Sequence, residues 1–199
     1  TSVSLDHMEY LGDTLADIAK HKAGIMKKGC YVIAGKQEDE VITALKESAN
    51  ECDAKLQLVD YHHVRYNRGK NTITYREFKN VKIPFFGDYQ FDNTLLALEA
   101  LHIIRYQRIE VDVDKAVEGL ERAYLPGRME RISDEPLIFI DGCHNRDAAL
   151  QIRETVEHHF EGKTITFIMG VLKDKEVSKM LSILLPLGRN LITVTPNND

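Results

Sequence analysis

Apolar residues along the first sixty positions switch between two spacings. In "DTLADIAKHKAGIMKKG" they recur every three or four residues, with Leu15, Ile18 and Ala19 on one stripe. This predicts an α-helix with Asp13 or Thr14 as N-cap and Gly24 near its end. "CYVIAG" is then a short strand-type run. "EDEVITALKESANECD" returns to helical spacing with Val41, Ile42, Leu45 and Ala49 on one face, and "KLQLV" is again a strand. A βαβ rhythm of this kind predicts a parallel sheet covered by helices. Between Tyr61 and Phe86 the texture changes: "HHVRYN", "NTITYREF" and "VKIPFF", broken at "RGK", predict an antiparallel ribbon. "DNTLLALEALHII" predicts an apolar helix capped by Asp92 or Asn93, and "DVDKAVEGLERAY" another, stopped by "LPG".

Beyond that Pro-Gly stop, the pattern predicts strand 137–140, helix 147–160, strand 164–169, helix 175–185 and strand 191–195. This reads as the opening of a second doubly wound α/β domain, so the expected division is 1–130 and 131–199. "LIFI" at 137–140 reads as a strand buried on both faces. The chain is also expected to be a piece of a longer protein. "TSVSLDH" begins inside a strand-like run without a Met, and "LITVTPNND" stops just after another strand.

Composition narrows the partners. Against 26 Lys and Arg stand 31 Asp and Glu, a formal charge of −5, which argues against nucleic acid, since phosphate binding favours a basic patch. No apolar run approaches the ~18 residues of a membrane span, and the first residues read as lacking the basic and apolar regions of a signal peptide. Three widely spaced cysteines, Cys30, Cys52 and Cys143, form neither a disulfide framework nor a zinc motif. A reducing cytoplasm is the expected compartment, and a monomer the expected state.

In open α/β sheets ligands bind at the carboxyl ends of strands. "DGCHN" is expected at one such end and "GVLKDKE" at the next, on one edge of one sheet. An acid and an imidazole delivered together, Asp141 and His144, are read equally as turn chemistry or as a site. Lys22 extends the stripe of Leu15, Ile18 and Ala19, which puts it on the inward face, where desolvation disfavours the ammonium. The alternative is that Lys22 snorkels its charge to solvent. His7, just after a strand-like run, is a metal ligand, a proton acceptor or a cap. Gln90 and Asn93 read as turn and cap residues, Arg128 as a solvated charge, and His62–His63 and His158–His159 as exposed pairs. Neither a Gly-x-x-x-x-Gly-Lys-[Ser/Thr] loop nor a Gly-x-Gly-x-x-Gly turn is present.

Taken together, "SLDHMEYLGDTLADIAKHKAGIMKKG", "GDYQFDNTLLALEAL", "LPGRMERI", "IDGCHNRDA" and "GVLKDKE" resemble, in order, the folate branch of the Mur ligase family: folylpolyglutamate synthase and dihydrofolate synthase. The folate branch typically shows Asp-Gly-Ala-His-Asn-Pro, and here Cys143 and Arg146 replace the alanine and the proline. The resemblance implies the end of a central ATPase domain with an antiparallel ribbon, followed by the start of a Rossmann-like domain. It also implies an ATP-dependent ligase that joins L-glutamate to a folate or dihydropteroate carboxylate through an acyl phosphate, with ATP and Mg2+ bound. By the same resemblance His7 ligates magnesium, and Lys22 is carbamylated. Asn93 contacts the base of ATP, Arg128 its phosphates, and Asp141 the nucleotide. His144 and Asn145 place the glutamate or the reacting carboxylate, and Asp174 joins the substrate residues by its location in the sequence alone. The family's phosphate loop would lie upstream of Thr1, so this piece alone is expected to be inactive. The alternatives are another Mur-type amino-acid ligase, or a non-catalytic nucleotide-binding module derived from one.

Overall fold

The computed structural model describes residues 3, 12, 14–172 and 177–195. His7, Asp13, Lys173 and Asp174 lie outside them. Two compact units result, residues 1–84 with 90–124, and residues 85–89 with 125–199.

In the first unit, α1 (Leu15–Ala23) opens on Thr14, whose hydroxyl accepts the Asp17 N–H at 3.1 Å. β1 (Tyr31–Ala34) and β2 (Lys55–Leu58) form a parallel pair in the register Tyr31↔Lys55 to Ala34↔Leu58. The crossover between them is α2 (Asp39–Glu51), the expected βαβ unit. Small side chains set the packing here: Ala19, Ala23, Ala34 and Ala44 join Val41 and Leu45 in one buried cluster. Removing such apolar area from water is the main drive for the fold.

The ribbon is a three-stranded antiparallel sheet, β3 (Val64–Asn67), β4 (Thr72–Tyr75) and β5 (Phe78–Lys82). "NTITYREF" is not one strand, because the chain turns at Arg76, which adopts φ +53°. An ion pair holds that arginine: its Nε and a terminal nitrogen reach the Glu99 carboxylate at 2.7 and 3.1 Å. The long helix α3 (Tyr89–Tyr106) lays Leu95 and Leu98 on Ile73, Tyr75, Phe78 and Val81 of the sheet. It begins earlier than its apolar run suggests, so Asp92 and Asn93 lie within the helix rather than capping it. α4 (Val113–Glu121) follows, with Asp112 as N-cap accepting the Lys115 N–H at 3.1 Å.

The second unit contains a strand that the pattern did not reveal. β6 (Glu130–Asp134) pairs antiparallel with β7 (Leu137–Ile140). β7 is not buried on both faces: Leu137, Ile138 and Ile140 are 50%, 39% and 46% exposed. The reason is its pairing, because β6 is its one partner strand among the described residues. A separate parallel pair, β8 (Thr166–Met169) with β9 (Asn190–Thr193), carries the expected βαβ order. "DGCHN" and "GVLKDKE" therefore follow strands of different sheets among the described residues, not one shared edge. α5 (Arg146–His159) precedes β8, and α6 (Val177–Leu184) links β8 to β9. Their core is Ala149, Met180 and Leu184, with Phe167 and Met169 packed against it.

Residues 85–89 form a strap within this unit. The Phe86 ring packs on Phe139, His159 and Phe160 at centroid distances of 4.9, 4.8 and 5.4 Å. Asp88 bonds both His158 and His159, the latter at 3.0 Å. Gly87 between them sits at φ +107°, a conformation that L side chains rarely adopt.

Candidate active site

Two loops of the second unit are locked together. The Gly142 N–H donates to the Gly127 carbonyl at 2.8 Å, and the Met129 N–H donates to Asp141 Oδ2, also at 2.8 Å. Gly127 turns the first loop at φ +64°, which suits the Pro-Gly stop seen in the sequence. Between those two bonds sits Arg128, exposed. Arg128, Asp141, His144 and Asn145 are thus brought onto neighbouring loops. The Tyr89 hydroxyl also donates to Asp141 Oδ2, at 3.4 Å. Both donors reach one carboxylate oxygen, and Oδ1 accepts none among the described residues.

His144 Nδ1 lies 2.9 Å from the Gly142 carbonyl. A carbonyl only accepts, so Nδ1 carries the proton and a neutral imidazole has its lone pair on Nε2. Asn145 is the N-cap of α5, with Oδ1 accepting the Ala148 N–H at 2.8 Å. Between Asp141 and Asn145, Cys143 is half-buried. Burial, with the nearby Asp141 charge, pushes its thiol up to about 12, so it is no thiolate nucleophile at neutral pH.

The remaining expected residues belong to the first unit. Lys22 is in the last turn of α1 and is exposed. The inward placement read from periodicity is therefore corrected: the buried stripe runs Ile18, Ala19, Ala23 and leaves Lys22 outside it. Asn93 is exposed in the first turn of α3, where its Nδ2 donates to Gln90 Oε1 at 3.0 Å. Among the described residues no hydrogen bond or ion pair joins Lys22 or Asn93 to another residue of the expected set. Sequence reasoning passed over Gln90 as a turn residue and did not single out Tyr89. The i, i+3 spacing of Gln90 and Asn93 was the signal for that pair.

No group of three or more His, Cys, Asp and Glu among the described residues could hold a metal ion. The expected magnesium ligand, His7, lies outside them. A cavity of about 390 Å³ lies between β5 and α4, lined by Glu77, Asp114, Glu118, Glu121 and Lys79 among others. Its excess of carboxylates is the wrong sign for a polyphosphate. Also among the described residues, no helix is long and apolar enough to cross a membrane.

Comparison with known proteins bears on both units. Residues 129–197 match the family model "Dihydrofolate synthetase, C-terminal domain". The chain is 31% identical over 196 residues to folylpolyglutamate synthase of Lacticaseibacillus casei, covering 90% of this chain and 44% of that protein. It is 28% identical over 190 residues to dihydrofolate synthase/folylpolyglutamate synthase of Bacillus subtilis (strain 168), covering 91% and 44%. The chain thus spans about half the length of the curated relatives it matches. Among solved structures, an FPGS–AMPPCP–folate complex superposes with a TM-score of 0.83 at 27% identity, over 100% of this chain and 51% of that one. Mycobacterium tuberculosis folylpolyglutamate synthase complexed with ADP and AMPPCP gives 0.80 at 26%, over 98% and 46%. With sequence likeness along nearly the whole chain and the same fold, the chain resembles about half of a folylpolyglutamate synthase or dihydrofolate synthase, and its residues 129–197 match the C-terminal domain of dihydrofolate synthetase.

Proposed function

We propose that the full-length protein is an ATP-dependent ligase that joins L-glutamate to a folate or dihydropteroate carboxylate. The observation that carries this reading is the locked pair of loops, with an arginine, a carboxylate and a tautomer-fixed histidine on neighbouring backbone. Relatives of matching fold are named as complexes with an ATP analogue and folate.

The chemistry runs in two balanced steps. The substrate carboxylate attacks the γ-phosphorus of ATP, giving an acyl phosphate and ADP. The glutamate amine then attacks the acyl carbon, forming the amide as phosphate departs and the amine loses a proton. Phosphoryl transfer is accelerated mainly by positioning and charge stabilisation. Arg128 supplies positive charge to the phosphates, and Asp141, steadied by Met129 and Tyr89, orients the nucleotide. His144 places the glutamate or the reacting carboxylate, and Asn145 fixes the start of α5 beside it. Asn93 meets the base. In this reading Lys22 is carbamylated. Mg2+ accompanies ATP with His7 as a ligand, Asp174 serves the substrate, the domains divide at 130/131, and the protein works as a cytoplasmic monomer.

The direct test is ligation with ATP and glutamate, offering dihydropteroate and a tetrahydrofolate in parallel. Amide product with one or both is expected. Lys22→Ala is expected to lower turnover at least tenfold, with intact mass revealing one added CO₂ on the wild type alone. Wild-type activity untouched by Lys22→Ala would remove that lysine from the mechanism.

A further inference from the structure

A buried amide with an unmet donor sits one helical turn from Asn93. Gln90 is 1% exposed, and among the described residues its Nε2 has no hydrogen-bond partner. Its Oε1 accepts the Asn93 Nδ2 at 3.0 Å. An unsatisfied buried donor destabilises a fold, and an apolar side chain of the same size would avoid that cost. The turn that presents this pair is fixed on both sides. The Tyr61 hydroxyl donates to Asp92 at 3.0 Å while accepting the Lys36 N–H at 3.0 Å. The Thr94 hydroxyl donates to the Gln90 carbonyl at 2.7 Å.

We propose that Gln90 is a positioning residue that orients the exposed Asn93 carboxamide, so that the site selects a 6-amino purine over a 6-oxo purine. This rests on the proposed placement of Asn93 against the base of ATP. With one Nδ2 proton committed to Gln90, Asn93 Oδ1 is turned away from Gln90, and it accepts no bond among the described residues. An outward acceptor matches the exocyclic N–H of adenine, and the second Nδ2 proton matches its N7. A 6-oxo base would set oxygen against oxygen. A freely rotating asparagine would turn over and accept either base. Gln90 resists that rotation, because turning Asn93 alone brings two carbonyl oxygens together.

The test compares ATP and GTP in the full-length protein, by KM and kcat in ligation and by direct nucleotide binding. Gln90→Met keeps the volume and removes both the acceptor and the unmet donor. It is expected to raise KM for ATP about fivefold to tenfold and to narrow the ATP:GTP preference by a similar factor. Its kcat should stay within about twofold, and its thermal midpoint should hold or rise. Gln90→Glu, which as a carboxylate can only accept, should keep the preference. An unchanged KM and preference in Gln90→Met would overturn the proposal and leave Gln90 a packing residue. Loss of preference in Gln90→Glu would overturn the assigned amide orientation. A wild type that neither binds nor consumes ATP would instead defeat the proposed ligase, and that outcome is read before any variant.

Discussion

Glu99 is completely buried and carries the first unit's central polar contact, accepting from Arg76 and from the Tyr75 hydroxyl at 2.7 Å. Removing one partner of a buried ion pair strands the other. Glu99→Ala should therefore cost about 3–5 kcal/mol in urea unfolding, and a loss below about 1 kcal/mol would show the pair to be incidental. Asn145 poses a question of role at the same scale. Its side chain caps α5, so Asn145→Ala should cost about 1 kcal/mol while Asn145→Asp holds stability. If Asn145→Asp also keeps the KM for glutamate, capping accounts for the residue. Thr14 as a cap was legible from the sequence because capping is local chemistry. The exposure of Lys22 was not, because periodicity gives a direction around a helix and not the point where the neighbouring core stops. Here that core includes Ala23 and skips Lys22.

Among the elements, the strap 85–89 shows how distant chain segments decide what a local pattern does. His158 and His159 read as an exposed pair at a helix end, yet both reach Asp88, 70 and 71 residues away in sequence. Burial alone would raise the Asp88 pKa, but hydrogen bonds from His158 and His159 outweigh it and hold the carboxyl below its usual value. A carboxyl depressed in the folded state contributes stability above its unfolded pKa, and loses it as pH falls through the folded value. The wild type should accordingly lose more stability than Asp88→Asn between about pH 5 and pH 3 in denaturant titrations. Equal acid limbs would mean that the tether stores no pH-dependent stability. β6 escaped notice for a related reason. "ERISD" has one large apolar residue among polar ones, and its strand state comes from pairing with β7. β7 itself was legible as a strand but not in its burial, which depends on how many strands lie beside it.

For the whole molecule, the ordered motifs spoke for the family, while each motif alone did not. Sequence order placed "LPGRM" and "DGCHN" in one region, and the structure adds the two backbone bonds that lock their loops. The division of labour between Asp141 oxygens, the His144 tautomer and the amide pair at Gln90 and Asn93 is set by tertiary contacts, which periodicity does not encode. The deciding measurement is ligation by the full-length protein supplied with ATP, glutamate and either dihydropteroate or a tetrahydrofolate. An amide-linked glutamyl product should form in step with ADP and phosphate. ATP and glutamate left unconsumed with both acceptors, by a protein shown to be folded, would contradict the proposed ligase.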